Sequence, residues 1–303
     1  MRALAALILY TVVVFAGAAL LAPWLYWGIQ SLAGSHSELS GIAHQPFHRY
    51  VHRTLLVLAL AGLWPLARAL GARSWSALGV TPLSGQLGPI AFGFGLGFLS
   101  LAVVALLGVF SGARNFNTGI PLDRLLKLMG AAAGTAGVVA VVEELLFRGM
   151  LYGRMRPAIG QRSALLLSAG IYAIVHFFER PSTPPRVTWT SGFQTLQAML
   201  EGFSHWQSLI PGFFTLFLAG ILLARFFRVT GSLYGPIALH AGWIFWLGLY
   251  RGITQGQPST LSWVWGSEKL VDGWSALGVM ILCAVFVWRW AGASMSNSIS
   301  HRS

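Results

Sequence analysis

Long apolar runs alternate with short polar stretches along this chain, and the runs decide what it can fold into. They cover Leu4 to about Leu32, Thr54 to Leu70, Pro89 to about Phe110, about Leu128 to Tyr152, Ser163 to Phe178, Leu209 to Phe227, Ser232 to Tyr250 and about Trp274 to Trp290. Each approaches the length that crosses a hydrocarbon core of ~30 Å. Backbone N–H and C=O groups in hydrocarbon must pair within their own segment, so such runs become helices. Only 9% of the residues are charged and 55% are hydrophobic, against about 25% charged in soluble domains. The expected fold is all-α: a polytopic membrane helix bundle of about eight transmembrane helices.

The net charge of +12 does not point to nucleic acid. The arginines stand singly between apolar runs, with no basic block or stacking platform, as loops flanking membrane spans do. The first run could pass for a signal peptide, since Ala16-Gly17-Ala18 resembles a cleavage site. It continues through Trp24 and Trp27, too long for a leader's apolar region, so a retained first helix is expected. Cys283 is the one cysteine, so neither a disulfide framework nor a cysteine metal site is available.

Two connections stand out. His44, His48 and His52 are spaced to share one helix face, but no carboxylate or cysteine joins them. An interfacial amphipathic segment is therefore expected there rather than a metal site. From Glu179 to Gln207 runs a long connection, proline-rich between Arg180 and Arg186. Phe193, Leu196, Leu200 and Phe203 then recur at helical spacing, which predicts a helix lying on the membrane surface, a candidate lid over substrate entry. Gly93, Gly95 and Gly97 are not a nucleotide fingerprint, because no strand precedes them; close helix packing is the expected use. No repeat period appears, which argues against an inverted-repeat transporter.

The decisive polar residues lie in the fourth run. The chain has eight acidic residues, and Glu143 and Glu144 stand side by side inside an apolar stretch. An ionisable group there costs at least ~2.5–3.5 kcal/mol on insertion scales, which makes it a functional-site hypothesis. Glu144 and Arg148 are four apart with the acid first, the favourable order for a helical ion pair. Glu143 points about 100° away, free to face another helix. At 1.5 Å per residue, Glu143 lies roughly 16 Å below the Arg154 surface, His176 about 20 Å in from Ser163, and His240 about 12 Å in from Ser232. All three fall in one middle layer. A carboxylate and a histidine sharing a water form a general-base pair, and a second histidine can support an oxyanion. Two histidines and one carboxylate would also suit a catalytic zinc.

These residues resemble a known family. Glu143-Glu144-x-x-x-Arg148, then Tyr172-x-x-x-His176, then His240 after Gly231-Ser232-Leu233-Tyr234-Gly235-Pro236 are similar to the CPBP membrane proteases. That family comprises CAAX-processing, Ras-converting-type and bacteriocin-processing enzymes, and the resemblance runs from Gly130 to about Phe245. It implies a glutamic-type intramembrane endopeptidase. Glu143 and His176 would activate water, Glu144 and Arg148 would complete the motif, and His240 would support the oxyanion. Tyr172 and Trp243 are the remaining candidates for substrate or oxyanion contacts. The resemblance implies no cofactor, with a zinc held by Glu143, His176 and His240 as the alternative. It implies a membrane-associated peptide or protein substrate in the bilayer, and no nucleic acid.

Two positions depart from the family pattern. Tyr172 stands where Phe is usual, and Ile244 stands where an Asn often follows the third-motif histidine. Ile cannot donate a hydrogen bond, so a non-catalytic immunity or partner-binding protein on the same scaffold is the competing expectation. The expected division is 1–129 with three spans, a catalytic core over 130–245, and 246–303 with the last span. Short basic connections at Arg154–Arg162 and Arg225–Arg228 favour a cytoplasmic N-terminus in a bacterial inner membrane.

Overall fold

The computed structural model describes residues 2–179, 181–257, 261–267 and 269–300. Its helices are α1 (Arg2–Ala33), α2 (Ser40–Ala43), α3 (Phe47–Ala69), α4 (Leu87–Phe110), α5 (Leu122–Glu144), α6 (Gly153–Ile159), α7 (Gln161–Val175), α8 (Ser191–Ala198), α9 (Trp206–Thr230), α10 (Tyr234–Ile253), α11 (Ser262–Trp265) and α12 (Trp274–Ser300). All eight expected runs are helical. Among the described residues, five stretches are long and apolar enough to cross a membrane: Leu4–Ala33, Phe47–Ala69, Leu87–Phe110, Leu122–Ile159 and Trp206–Thr230. Gln161–Val175 and Trp274–Arg289 are apolar but shorter, and α10 has 20 residues. The chain is an integral membrane protein built as an all-helical bundle. Among the described residues it carries one two-stranded antiparallel ribbon, β1 (Arg114–Phe116) with β2 (Thr254–Gly256).

The chain divides into two compact units. The first is Met1–Arg73 with Phe177–His205. Here α1 packs against α3 around Ala22, Phe47, Tyr50 and Val51. The helix α3 begins at Phe47, seven residues earlier than the apolar run suggests, because Pro46 sits at its N-cap with extended backbone. That break removes His44 from the face of His48 and His52. His44 ends α2 instead, its Nδ1 bonded to the Ser40 carbonyl at 2.6 Å.

The long connection is helical over Ser191–Ala198 and Met199–Ser204. Ser191, Gly192, Thr195, Met199 and Gly202 are buried, while Phe193 and Leu200 are 41% and 53% exposed. The buried face is the small one. Gly192 lets α8 approach so closely that a Cβ there would strike the Ala19 backbone of α1. In lipid, apolar side chains gain little by turning inward, and small residues that permit close backbone contact make the interface. Arg180 lies outside the described residues.

The second unit is Ser74–His176 with Trp206–Ser303, and the same logic builds it. At the crossing of α4 with α10, a Cβ on Gly93 would come within 2.6 Å of the Gly235 carbonyl, and one on Gly97 would strike the Leu239 carbonyl. On the other side of α10, Gly248 packs against Ala132 of α5. α7 meets α9 where Gly220 faces Ala169. The outward faces carry Leu99, Phe110 and Leu282, all more than 60% exposed. The third expected span, α4, thus packs in the unit that holds the acidic pair. The expected loop at Gly153–Arg162 is helical instead: α6 runs to Ile159, and the turn is the single residue Gly160, at φ +82°.

Candidate active site

Glu144 is the last residue of α5, and the eight residues after it, Leu145–Tyr152, form a π-helix. Such wide turns are rare and misalign the backbone ladder, and they recur at functional sites. Here one side chain from another helix meets a carbonyl of the turn. Ser168 of α7 donates to the Phe147 carbonyl at 3.0 Å. Gly149 lies so close to Leu78 that a Cβ would come within 2.9 Å of its carbonyl.

Glu144 and Arg148 are both fully buried and joined at 2.6 Å. The guanidinium also donates to the Gly220 carbonyl of α9 at 3.5 Å. It lies over the Tyr172 ring with its carbon 4.4 Å from the ring centre. The local spacing of the pair is legible in the sequence; its second bond is not. Glu144 Oε1 also accepts from His240 Nδ1 of α10 at 2.9 Å. Glu144 is therefore shared between two cationic or proton-bearing partners, and it orients His240 as well as neutralising Arg148.

His176 caps the C-terminus of α7 and does not lie within it. Its Nδ1 donates to the Tyr172 carbonyl, one turn back, at 2.6 Å. A carbonyl can only accept, so in the neutral ring Nε2 carries the lone pair. That Nε2 lies 3.9 Å from Glu143 Oε2. His240 Nε2 lies 3.8 Å from the same oxygen. Both imidazoles are thus anchored through Nδ1 and present Nε2 to one carboxylate oxygen. At nearly 4 Å these are gaps that one water spans. Glu143 and His176 keep 27% and 29% of their side chains accessible, whereas His240 keeps 4%.

The two remaining candidates go different ways. Tyr172 is fully buried, and its hydroxyl sits 3.3 Å from His240 Nε2. Trp243 donates its indole N–H to Ser100 of α4 at 2.9 Å, so its donor is turned away from Glu143. Ile244 is half-buried one turn beyond His240.

A zinc would need its ligand atoms at about 2.0–2.2 Å. Among the described residues no three histidine, cysteine or acidic side chains are gathered tightly enough to hold a metal. His240 and His176 are both held through Nδ1, and their Nε2 atoms stand 3.8 and 3.9 Å from Glu143 Oε2, wider than the ~3.3 Å that separates ligand atoms at such bond lengths around a tetrahedral ion.

Residues 126–246 match the family model described as "Type II CAAX prenyl endopeptidase Rce1-like". This segment is similar to the CAAX-protease family. No curated protein and no solved structure matches the chain. The CAAX-protease match takes in Glu143, Glu144, Arg148, Tyr172, His176 and His240, together with Trp243 and Ile244, and leaves α1 to α4 and α12 outside it.

Proposed function

We propose that the chain is an intramembrane glutamic endopeptidase that hydrolyses a peptide bond of a membrane-associated substrate. One observation carries this reading: two histidines, each tied through Nδ1, aim Nε2 at Glu143 Oε2 from 3.9 and 3.8 Å. Glu143 and neutral His176 both accept. A water between them donates one hydrogen to each and turns its lone pairs outward, toward a substrate carbonyl. As the water oxygen bonds the carbonyl carbon, Glu143 takes the proton. The C–N bond then breaks, Glu143 returns that proton to the leaving amine, and a carboxylic acid and an amine result.

The oxyanion that forms on attack needs donors. Ile244 supplies none. The Tyr172 hydroxyl, 3.3 Å from His240 Nε2, is the donor at hand, and His240 adds a second when its Nε2 is protonated. Arg148 does not touch the reacting atoms; it holds Glu144 ionised. The reaction uses no metal, and the site sits in a bacterial inner membrane with the N-terminus in the cytoplasm.

Cleavage of candidate membrane-anchored peptides by wild type, Glu143→Ala and His176→Ala in proteoliposomes tests the reading. Loss of cleavage in both variants, at normal expression, is expected. Unchanged function in both would favour the partner-binding alternative that Ile244 suggests. Cleavage is expected to survive strong chelation; loss on chelation, restored by zinc, would overturn the metal-free mechanism.

A further inference from the structure

Away from this centre, the β-ribbon borders another cavity. Tyr250 lies ten residues beyond His240, about 15 Å farther along α10, so the two sites stand at different depths. The cavity has a volume of about 230 Å³ and is walled by Arg114, Tyr250, Gln257, Trp265, Gly266 and Ser267 among others.

Arg114 is the unusual residue. It is only 8% exposed. Its Nε donates to Thr254 Oγ1 at 3.0 Å and its Nη2 to the Thr254 carbonyl at 3.3 Å. The guanidinium lies over the Tyr250 ring, 4.7 Å from its centre. None of these partners carries charge. Among the described residues no carboxylate lies within ion-pair distance of Arg114. The nearby Asp272 is spent on the backbone N–H and hydroxyl of Ser267, at 2.8 and 2.5 Å. Buried charges are ordinarily paired. A second polar group in the same wall, the Tyr250 hydroxyl, is also buried; Thr254 stands beside it, but no hydrogen bond of good geometry forms there among the described residues.

We propose that this cavity binds a phosphate group, with Arg114 as counter-ion and the Tyr250 hydroxyl as second donor. A guanidinium edge matches the paired oxygens of phosphate. The ribbon joins the ends of two membrane helices, α4 and α10, which is the level where lipid phosphates lie. The source is a phospholipid headgroup or free phosphate.

Binding is read on the full chain in detergent, without reference to proteolysis. Native mass spectrometry and the heat-induced reactivity of the sole cysteine, Cys283, are compared in three media: detergent alone, detergent with phosphatidylglycerol, and detergent with inorganic phosphate. Wild type should retain and be protected by phosphatidylglycerol or by phosphate, and which of the two protects assigns the source. Arg114→Gln should weaken that binding by at least ~10-fold, the scale of a lost charge-assisted bond. Tyr250→Phe keeps the ring under Arg114 and should weaken it less; it decides the matter if Arg114→Gln does not fold. No protection of wild type in either medium, or equal protection of wild type and the folded variants, would overturn the proposal.

Discussion

Replacing Glu144 by Gln separates the roles of the acidic pair. Glu144 and Arg148 are both without solvent exposure, so the variant leaves a buried guanidinium with only neutral acceptors, the Gly220 carbonyl at 3.5 Å among them. Breaking a buried pair from one side costs ~3–5 kcal/mol, or roughly two to four orders of magnitude in the folded-to-unfolded ratio. His240 Nδ1 simultaneously loses the charged acceptor it holds at 2.9 Å. The double variant Glu144→Leu/Arg148→Met removes both charges at similar volume, and such swaps are often neutral or stabilising. Stability should therefore return in the double variant, while cleavage should not, because His240 still lacks its anchor. Unfolding is followed by labelling Cys283, which is buried and the only cysteine; cleavage is followed in proteoliposomes. A Glu144→Gln loss below ~1 kcal/mol, the range of an exposed pair, would refute the buried-pair argument. Full cleavage by the double variant would refute the assignment of Glu144 as the group that orients His240.

Tyr172→Phe restores the aromatic usual in the family and removes only a hydroxyl. Stability should fall by no more than ~0.5–1.5 kcal/mol, while kcat should fall by ~10²–10³ if the hydroxyl donates to the oxyanion; a normal kcat removes Tyr172 from the mechanism. The three spaced glycines of α4 should respond unequally to alanine. Gly93 and Gly97 face the backbone of α10, whereas a Cβ on Gly95 meets nothing. Gly93→Ala and Gly97→Ala should each cost ~1–3 kcal/mol through overpacking, and Gly95→Ala should be neutral or gain up to ~1 kcal/mol of helix propensity. Equal effects at all three positions would contradict the close α4–α10 crossing.

Much of this molecule is legible in the order of its residues. Apolar runs become helices because hydrocarbon leaves the backbone no other partner, and all eight runs are helical. Rise per residue brings Glu143, His176 and His240 to one depth, and Glu143 stands within 4 Å of both rings. The four-residue spacing of Glu144 and Arg148 is local, so it survives even though a π-helix starts between them. Helix ends were less legible. Pro46 and Gly160 set them by backbone geometry, which hydrophobicity does not register. The apolar periodicity of α8 did not show that Gly192 is the residue meeting α1, because close backbone approach depends on small residues that hydrophobicity does not mark.

What only the tertiary structure decided is which partner each polar group takes. Glu144 meets His240 across 96 residues, and Trp243 turns to Ser100 across 143. Arg114 reads in the sequence as one more loop arginine, yet it is buried on Tyr250 beneath a ribbon. The physical reason is common to all three. A residue's kind and its depth follow from its own segment, but a hydrogen bond is directional and short. Its partner is set by how neighbouring helices rotate and how closely their glycines let them approach. Composition alone already marks the chain as a membrane bundle with an acidic pair inside it; the packing of α5, α7 and α10 divides that pair, holding Glu144 between Arg148 and His240 and leaving Glu143 open between two imidazoles.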